Sequence, residues 1–332
     1  GAQVIGLDLR VRPSAMTIDA LERIAALHGF VVFPNQTLPD CALVATSTFF
    51  GSGMLASLHT VHNDAVHDDI FRVSNDERHG IVGVGPQWHS DGATERRVFS
   101  HILFHAQRMP SGRGGGTAFA DLAGAFAALP RRQQEDWSRL ATVNAFSGAV
   151  HPLVITHPVT RRRSLFVHLG MVGAVIRWGP ASANCGLRSS HYARLEAMEP
   201  GAGPFRDCGH EVLDESEARA LLSSVDALLS QPEHSISWPY RVNGPTADLL
   251  LVDNLAAAHR ATQEAHDTSG GLRILHRATV QGIWEVDPAA ESQLPPFAYI
   301  WGDNPCGGNG LWEGSDHVGV GFRWNRSLRM QN

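Results

Sequence analysis

Apolar residues fall at Ile18, Leu21, Ile24, Ala25 and Leu27 in TIDALERIAALHG (17–29). That spacing lines one face of a helix, with Gly29 placed to end it. FVVF (30–33) follows as a buried strand that Pro34 is expected to stop. VFSHILFHAQ (98–107), β-branched and aromatic, predicts a second strand ending before Pro110. PSGRGGGTAFAD (110–121) reads as a glycine-rich turn leading into a short strand; no Gly-Lys-Ser/Thr follows, so it is not a phosphate loop. LAGAFAALPRRQQEDWSRL (122–140) predicts a helix that Pro130 breaks in two.

Further along, HPLVITHPVTRRRSLFVHL (151–169) predicts two strands joined by a basic turn. DESEARALLSSVDALLSQ (214–231) is a helix whose acidic first turn suits the positive end of its dipole. ADLLLVDN (247–254) and LRILHRATVQGIWEV (272–286) predict two more strands. Short strands dominate and helices sit at the start and in the connections. Without strand–helix alternation, a doubly wound parallel sheet is not expected. No repeat interrupts the chain, and one domain spanning 1–332 is expected. Residues 171–212, rich in Gly and Pro, and 288–332, rich in Gly, Trp and Asn, read as an insert and an extension added to the core.

Composition narrows the function classes. The chain has 332 residues, 43% hydrophobic and 18% charged, enough for a sizeable core. A net charge of −6 gives no field favouring nucleic acid or an acidic membrane, so neither is an expected partner. No apolar run approaches the roughly 20 residues of a membrane helix. No basic start precedes an apolar segment, so a signal peptide is not expected and the location reads as cytoplasmic. Cys41, Cys185, Cys208 and Cys306 form no CxxC pair and are expected as reduced, mostly buried thiols, with a Cys185–Cys208 bridge as the alternative.

His-x-Asp occurs three times: His62–Asp64, His67–Asp69 and His89–Asp91. With 18 histidines, about one such pair is expected by chance. A His and an Asp two apart on a strand point the same way. Two imidazoles and one carboxylate on one face of an iron leave open positions for co-substrates. His259, just past the strand at 247–254, offers a second imidazole. Arg273 and Arg277 offer planar forks that bind a carboxylate through paired hydrogen bonds, and Thr117 offers a hydroxyl beside them.

Taken in order, WHSDG, GGGTAFAD, HPLVITHPVTRRRSLFV, DLLLVDNLAAAHRAT and RILHRATVQG resemble the signatures of the taurine/2,4-dichlorophenoxyacetate dioxygenase family. The resemblance covers roughly residues 15–170 and 213–286. It implies a mainly β fold with flanking helices, a double-stranded β-helix or jelly-roll, cupin-like barrel. It implies Fe(II), 2-oxoglutarate and O2 as cofactors, His89, Asp91 and His259 as metal ligands, and Arg273 with Thr117 as the 2-oxoglutarate carboxylate site. Hydroxylation of a small, anionic organic substrate is the implied reaction. A larger metabolite, desaturated or cyclised, is the second reading. The carboxylate at 91, where a small residue would open a halide site, argues against halogenation. His62/Asp64 and His67/Asp69 fall in a region that often forms a flap over the substrate in the family; on their own they read as a polar surface loop. The taurine enzymes carry an asparagine just upstream of His-x-Asp, where this chain has GVGPQ, which argues against a sulfonate substrate.

The resemblance also offers Arg277, Phe166 and Trp88 as substrate contacts. Arg277 otherwise reads as a salt bridge supporting the site, and Trp88 and Phe166 as core. His151, His157 and His168 are expected as structural histidines, and Asp253–Asn254 as a turn that aims His259. A rival register would use His266 as ligand and Arg277 for the co-substrate. Two other classes fit the triad: a degenerate metal-binding barrel without activity, and a zinc hydrolase, in which Arg273 and Thr117 would lack a purpose. Association into a dimer or tetramer is compatible with the family.

Overall fold

The computed structural model describes residues 1–57, 59–95, 97–111, 115–178 and 210–285. Cys185, Cys208, Cys306, most of the insert and the whole C-terminal extension lie outside them. In chain order the strands are β1 (Ala2–Gln3), β2 (Phe30–Gln36), β3 (Phe71–Ser74), β4 (Arg97–Arg108), β5 (Thr117–Asp121), β6 (Leu140–Asn144), β7 (Val150–Pro152) and β8 (Val154–Thr156). They continue as β9 (Arg163–Leu165), β10 (Val172–Trp178), β11 (His210–Val212), β12 (Ser235–Trp238), β13 (Val242–Asn243), β14 (Thr246–Asp253), β15 (Ala257–Ala261) and β16 (Ile274–Glu285). The helices are α1 (Ala15–His28), α2 (Asp40–Ser47), α3 (Leu122–Ala128), α4 (Arg131–Trp137) and α5 (Glu215–Leu229).

The large sheet has the order β1-β2-β14-β4-β16-β3, with β13 added beside β14. Smaller sheets β11-β10-β6-β7, β12-β5-β15 and β8-β9 complete the mainly β, jelly-roll architecture. Alternation in β2 and β14 assigns the two faces of the large sheet. Val31, Phe33, Leu249 and Leu251 face α1 and its neighbours. Phe30, Val32, Leu250 and Val252 face the interior, against Phe104 and Phe119. Because both faces are buried, these strands read as continuous apolar runs. A further cluster sits under α3 and α5 and holds Trp88, Phe126, Trp137, Leu222 and Val225.

The helix expectations hold. Ser14 caps α1 by accepting the Thr17 N–H, and Gly29, at φ 81°, ends it. Asp214 and Glu217 form a capping box at the start of α5. Pro130 separates α3 from α4.

Two details differ from expectation. β2 does not stop at Pro34 but runs to Gln36. Between the pairs Leu249↔Phe33 and Ala247↔Gln36 the register shifts, so Pro34 and Asn35 occupy a bulge where no ladder N–H is required. Leu140 opens β6 rather than closing a helix. No helix among the described residues is long and apolar enough to cross a membrane.

Candidate metal and anion site

His89, Asp91 and His259 meet at one buried point. Their ligating atoms all lie within 4.8 Å of one another, the one such group of three among the described residues. The Asp91 carboxylate oxygens lie 3.8 Å from His89 Nε2 and 3.8 Å from His259 Nε2.

The local structure that delivers them is not the expected one. His89 forms isolated bridges with His259 and His168, and Asp91 opens a turn, so the pair does not share a regular strand. His259 lies past β14, as expected, but within a further strand, β15, opposite Phe119 of β5. The His89 and His259 main chains exchange both hydrogen bonds, at 3.0 and 2.9 Å. Ser90 donates its N–H to Val167 O at 2.9 Å from the other side.

The imidazoles are prepared as neutral donors. Burial lowers the pKa of both His89 and His259, the latter well below the usual histidine range. His89 Nδ1 lies 2.8 Å from Gln87 O, and a proton donated there leaves the Nε2 lone pair free for a metal. Two imidazoles and one carboxylate that leave other positions open form the donor set of a non-haem Fe(II) site.

Next to the triad lies a cleft lined by His89, His259, Thr117, Phe104, Arg273 and Arg277, among others. Arg273 is only 3% exposed. Its Nε donates to Gly115 O at 2.7 Å, and its main chain is held by Asn75 Oδ1 and Ser74 Oγ. Burial lowers its pKa, and no carboxylate among the described residues pairs with it. A buried guanidinium without a counter-ion is costly and suits an anionic ligand. Tyr240 donates its hydroxyl to Thr117 Oγ1 at 2.9 Å, which leaves the Thr117 proton free for an acceptor in the cleft. Burial pushes the Tyr240 phenol up to about 12.

Arg277 is committed to the triad. Its Nη1 lies 3.0 Å from both Asp91 oxygens, and its guanidinium stacks over Phe71 at 4.6 Å. The rival register is not assembled: His266 is absent from the triad and follows a short 3-10 turn (263–265).

The other pairs are local. His62 Nδ1 accepts the Asp64 N–H and His67 Nδ1 accepts the Asp69 N–H, both in exposed turns. Of the two readings for Trp88 and Phe166, substrate contact or core, the packing matches the core one. Trp88 is fully buried, donates Nε1–H to Ser230 and lies under Arg260. Phe166 packs with Ala93, Val98 and Leu255 and meets the His151 ring edge-on.

His157 is satisfied structurally by Asp253, while His151 bonds Ala93 O through Nε2 and its buried Nδ1 has no partner. His168 also has an unpartnered Nδ1, but its ring packs 4.8 Å from that of the metal-ligand candidate His89. The Asp253–Asn254 expectation is half met. Asp253 Oδ1 caps the turn leading to β15 through the N–H groups of Leu255 and Ala256. Asn254, however, bonds the main chain of Asp91, not His259.

The sequence reading passed over Tyr240 and His59. His59 stacks on Phe71, and burial and Arg277 lower its pKa to about 4. Neither lies in a periodic run, so only the fold brings Tyr240 to Thr117 and His59 to Phe71.

Comparison with known proteins places the chain among described enzymes. The profile of the taurine catabolism dioxygenase TauD, TfdA family matches residues 1–279. The alpha-ketoglutarate-dependent 2,4-dichlorophenoxyacetate dioxygenase of Cupriavidus pinatubonensis is 24% identical over 311 residues, covering 84% of this chain and 93% of that protein. The structure of a taurine dioxygenase from Burkholderia xenovorans superposes with a TM-score of 0.62 at 21% identity, over 93% of this chain and 95% of that one. AAD-2 in complex with Mn(II) and N-oxalylglycine gives a TM-score of 0.62 at 23% identity, over 86% and 94% of the two chains. At such identities the structural likenesses establish the fold.

Proposed function

The chain belongs to the TauD, TfdA dioxygenase family, and on that premise we propose that it is an Fe(II)- and 2-oxoglutarate-dependent dioxygenase that hydroxylates a small, anionic organic molecule. The observation that carries the reading is the buried His89–Asp91–His259 triad with Arg273 in the adjoining cleft, paired to no carboxylate among the described residues. The donor set fits Fe(II): two neutral imidazoles and a carboxylate, shielded from water. Held by His89, Asp91 and His259, Fe(II) with 2-oxoglutarate would supply O2-dependent oxidising chemistry, one oxygen atom going to a substrate C–H bond and the other to succinate formed from 2-oxoglutarate with loss of CO2.

The chain's own residues bind and orient. Arg273 and Thr117 are suited to hold the far carboxylate of 2-oxoglutarate, one by charge and the other by a freed hydroxyl proton. Tyr240 fixes the Thr117 rotamer. Apolar Phe104 and Phe119 pack around the His259 ring and limit water at the metal. Arg277, Phe71 and His59 form a cationic and aromatic wall beside Asp91, which supports an anionic substrate held by charge and stacking.

A screen of metabolite classes for substrate-stimulated succinate release tests the reading. Stimulation by small carboxylates is expected. Stimulation only by large neutral metabolites would overturn the substrate class, and no succinate under any condition would overturn the activity.

A further inference from the structure

Asp91 must aim its carboxylate at the metal, yet it lies in a turn where no strand ladder holds it. Asn254 supplies the missing bonds. Its Oδ1 accepts the Asp91 N–H at 2.8 Å, and its Nδ2 donates to Asp91 C=O and to Phe99 C=O, both at 2.8 Å. These bonds bracket the Asp91 Cα on both sides. They fix the two flanking peptide planes, and with them the direction of the Cα–Cβ bond.

Asn254 itself is placed by the large sheet. It directly follows Asp253, the β14 residue paired with His101 of β4, and its own N–H continues the ladder to Ser100 O at 3.0 Å. The side chain is fully buried. Five residues later the same segment delivers His259, which is bonded reciprocally to His89. Both arms of the triad therefore hang from one anchored segment.

The chemistry of the position is narrow. It needs one acceptor and two donors at a short reach, which the asparagine amide supplies and an ionised aspartate, serine or leucine does not. Glutamine would need an extra methylene in a filled site. On the far side of Asp91, Gly92 has φ 81°, and a Cβ there would meet Phe99 N at 2.7 Å. The loop thus rests directly on β4, with no slack to take up a misplaced Asp91.

We propose that Asn254 is a positioning residue for the metal site: it holds the Asp91 main chain in the pose that presents its carboxylate, without touching the metal. The inference rests on the metal reading above.

The test uses the metal-free full chain with Mn(II) as probe, following free Mn(II) by electron paramagnetic resonance. Ser164→Ala is the control. Ser164 Oγ is equally buried and bonds Leu255 O in the same turn at 2.9 Å, but it makes no contact with Asp91. Asn254→Ala and Asn254→Asp are expected to weaken Mn(II) binding by about tenfold or more, the range for residues that orient metal ligands. Ser164→Ala is expected to lower the unfolding temperature while leaving Mn(II) affinity unchanged. At saturating metal, 2-oxoglutarate affinity of the Asn254 variants is expected to match the wild type.

Unchanged Mn(II) affinity in folded Asn254 variants overturns the inference, as does an equal loss in Ser164→Ala. Failure of both Asn254 variants to fold also overturns it, because the residue would then serve the fold and not the metal. Absence of Mn(II) binding by the wild type is a different outcome: it removes the metal reading itself, and this inference with it.

Discussion

His89 and His259 donate their main-chain N–H groups to each other's carbonyls, at 3.0 and 2.9 Å. The two imidazoles thereby stand beside each other, ring centroids 4.1 Å apart, although they come from distant parts of the chain. With Asp91 Oδ2 3.8 Å from His259 Nε2, one short bridge sets most of the site's geometry.

The bridge separates the three His-x-Asp pairs. His89→Ala is expected to abolish metal binding and 2-oxoglutarate turnover, while His62→Ala and His67→Ala retain both, because those rings bond their own turns and, for His62, Glu77 O, and do not reach the triad. Mn(II) titration and succinate release check it; equal losses in all three would contradict the assignment.

Arg273→Ala is expected to raise the 2-oxoglutarate concentration needed for half-maximal turnover by about tenfold or more, on the order of the 1.5–3 kcal/mol of a charged hydrogen bond. Mn(II) affinity should stay close to wild type, since Arg273 makes no contact with Asp91. Tyr240→Phe should act in the same direction and less strongly, because it removes only the bond that orients Thr117. A change in metal affinity alone would assign Arg273 to the metal instead.

Arg277 predicts the opposite pattern. A fixed cation 3.0 Å from the Asp91 oxygens opposes an incoming metal ion. Arg277→Gln is therefore expected to bind Mn(II) as tightly as the wild type or more tightly, while substrate-stimulated turnover falls. Metal affinity reduced by about tenfold or more would show instead that Arg277 holds the ligating pose.

How much of this was legible beforehand follows from where the information lies. α1 and α5 carry their apolar face and their caps within one short local stretch each, so periodicity finds them. β4 and β14 are apolar runs buried on both faces and equally plain. β15, reading AAHRA, has no pattern of its own; it is a strand because β5 supplies its partners, Phe119 opposite His259. Pro34 misleads because the bulge that tolerates it is made by β14. The triad was reachable through ordered motif blocks. The Asn254 clamp on Asp91 and the Tyr240 bond to Thr117 were not, since each joins residues more than a hundred positions apart with no local signal.

Buried neutral histidine predicts an acid limit to stability. Burial holds His151 down at about 4, against 6.5 for the ordinary imidazole. Its stabilisation is complete above pH 6.5. Below that the unfolded chain takes up a proton that the folded chain refuses, and stability falls until about pH 4, by about 1.4 kcal/mol per pH unit for this one group. Urea unfolding at pH 7 and pH 5 should show a smaller loss for His151→Gln than for the wild type. An identical loss would contradict it.

The most direct measurement is an anaerobic titration of the metal-free protein with Fe(II) in the presence of 2-oxoglutarate, followed by visible absorption. The wild type is predicted to develop a weak charge-transfer band that saturates at one iron per chain, and His89→Ala to develop none. Absence of the band in the wild type, or an equal band in His89→Ala, would contradict the assignment of this site to iron and 2-oxoglutarate.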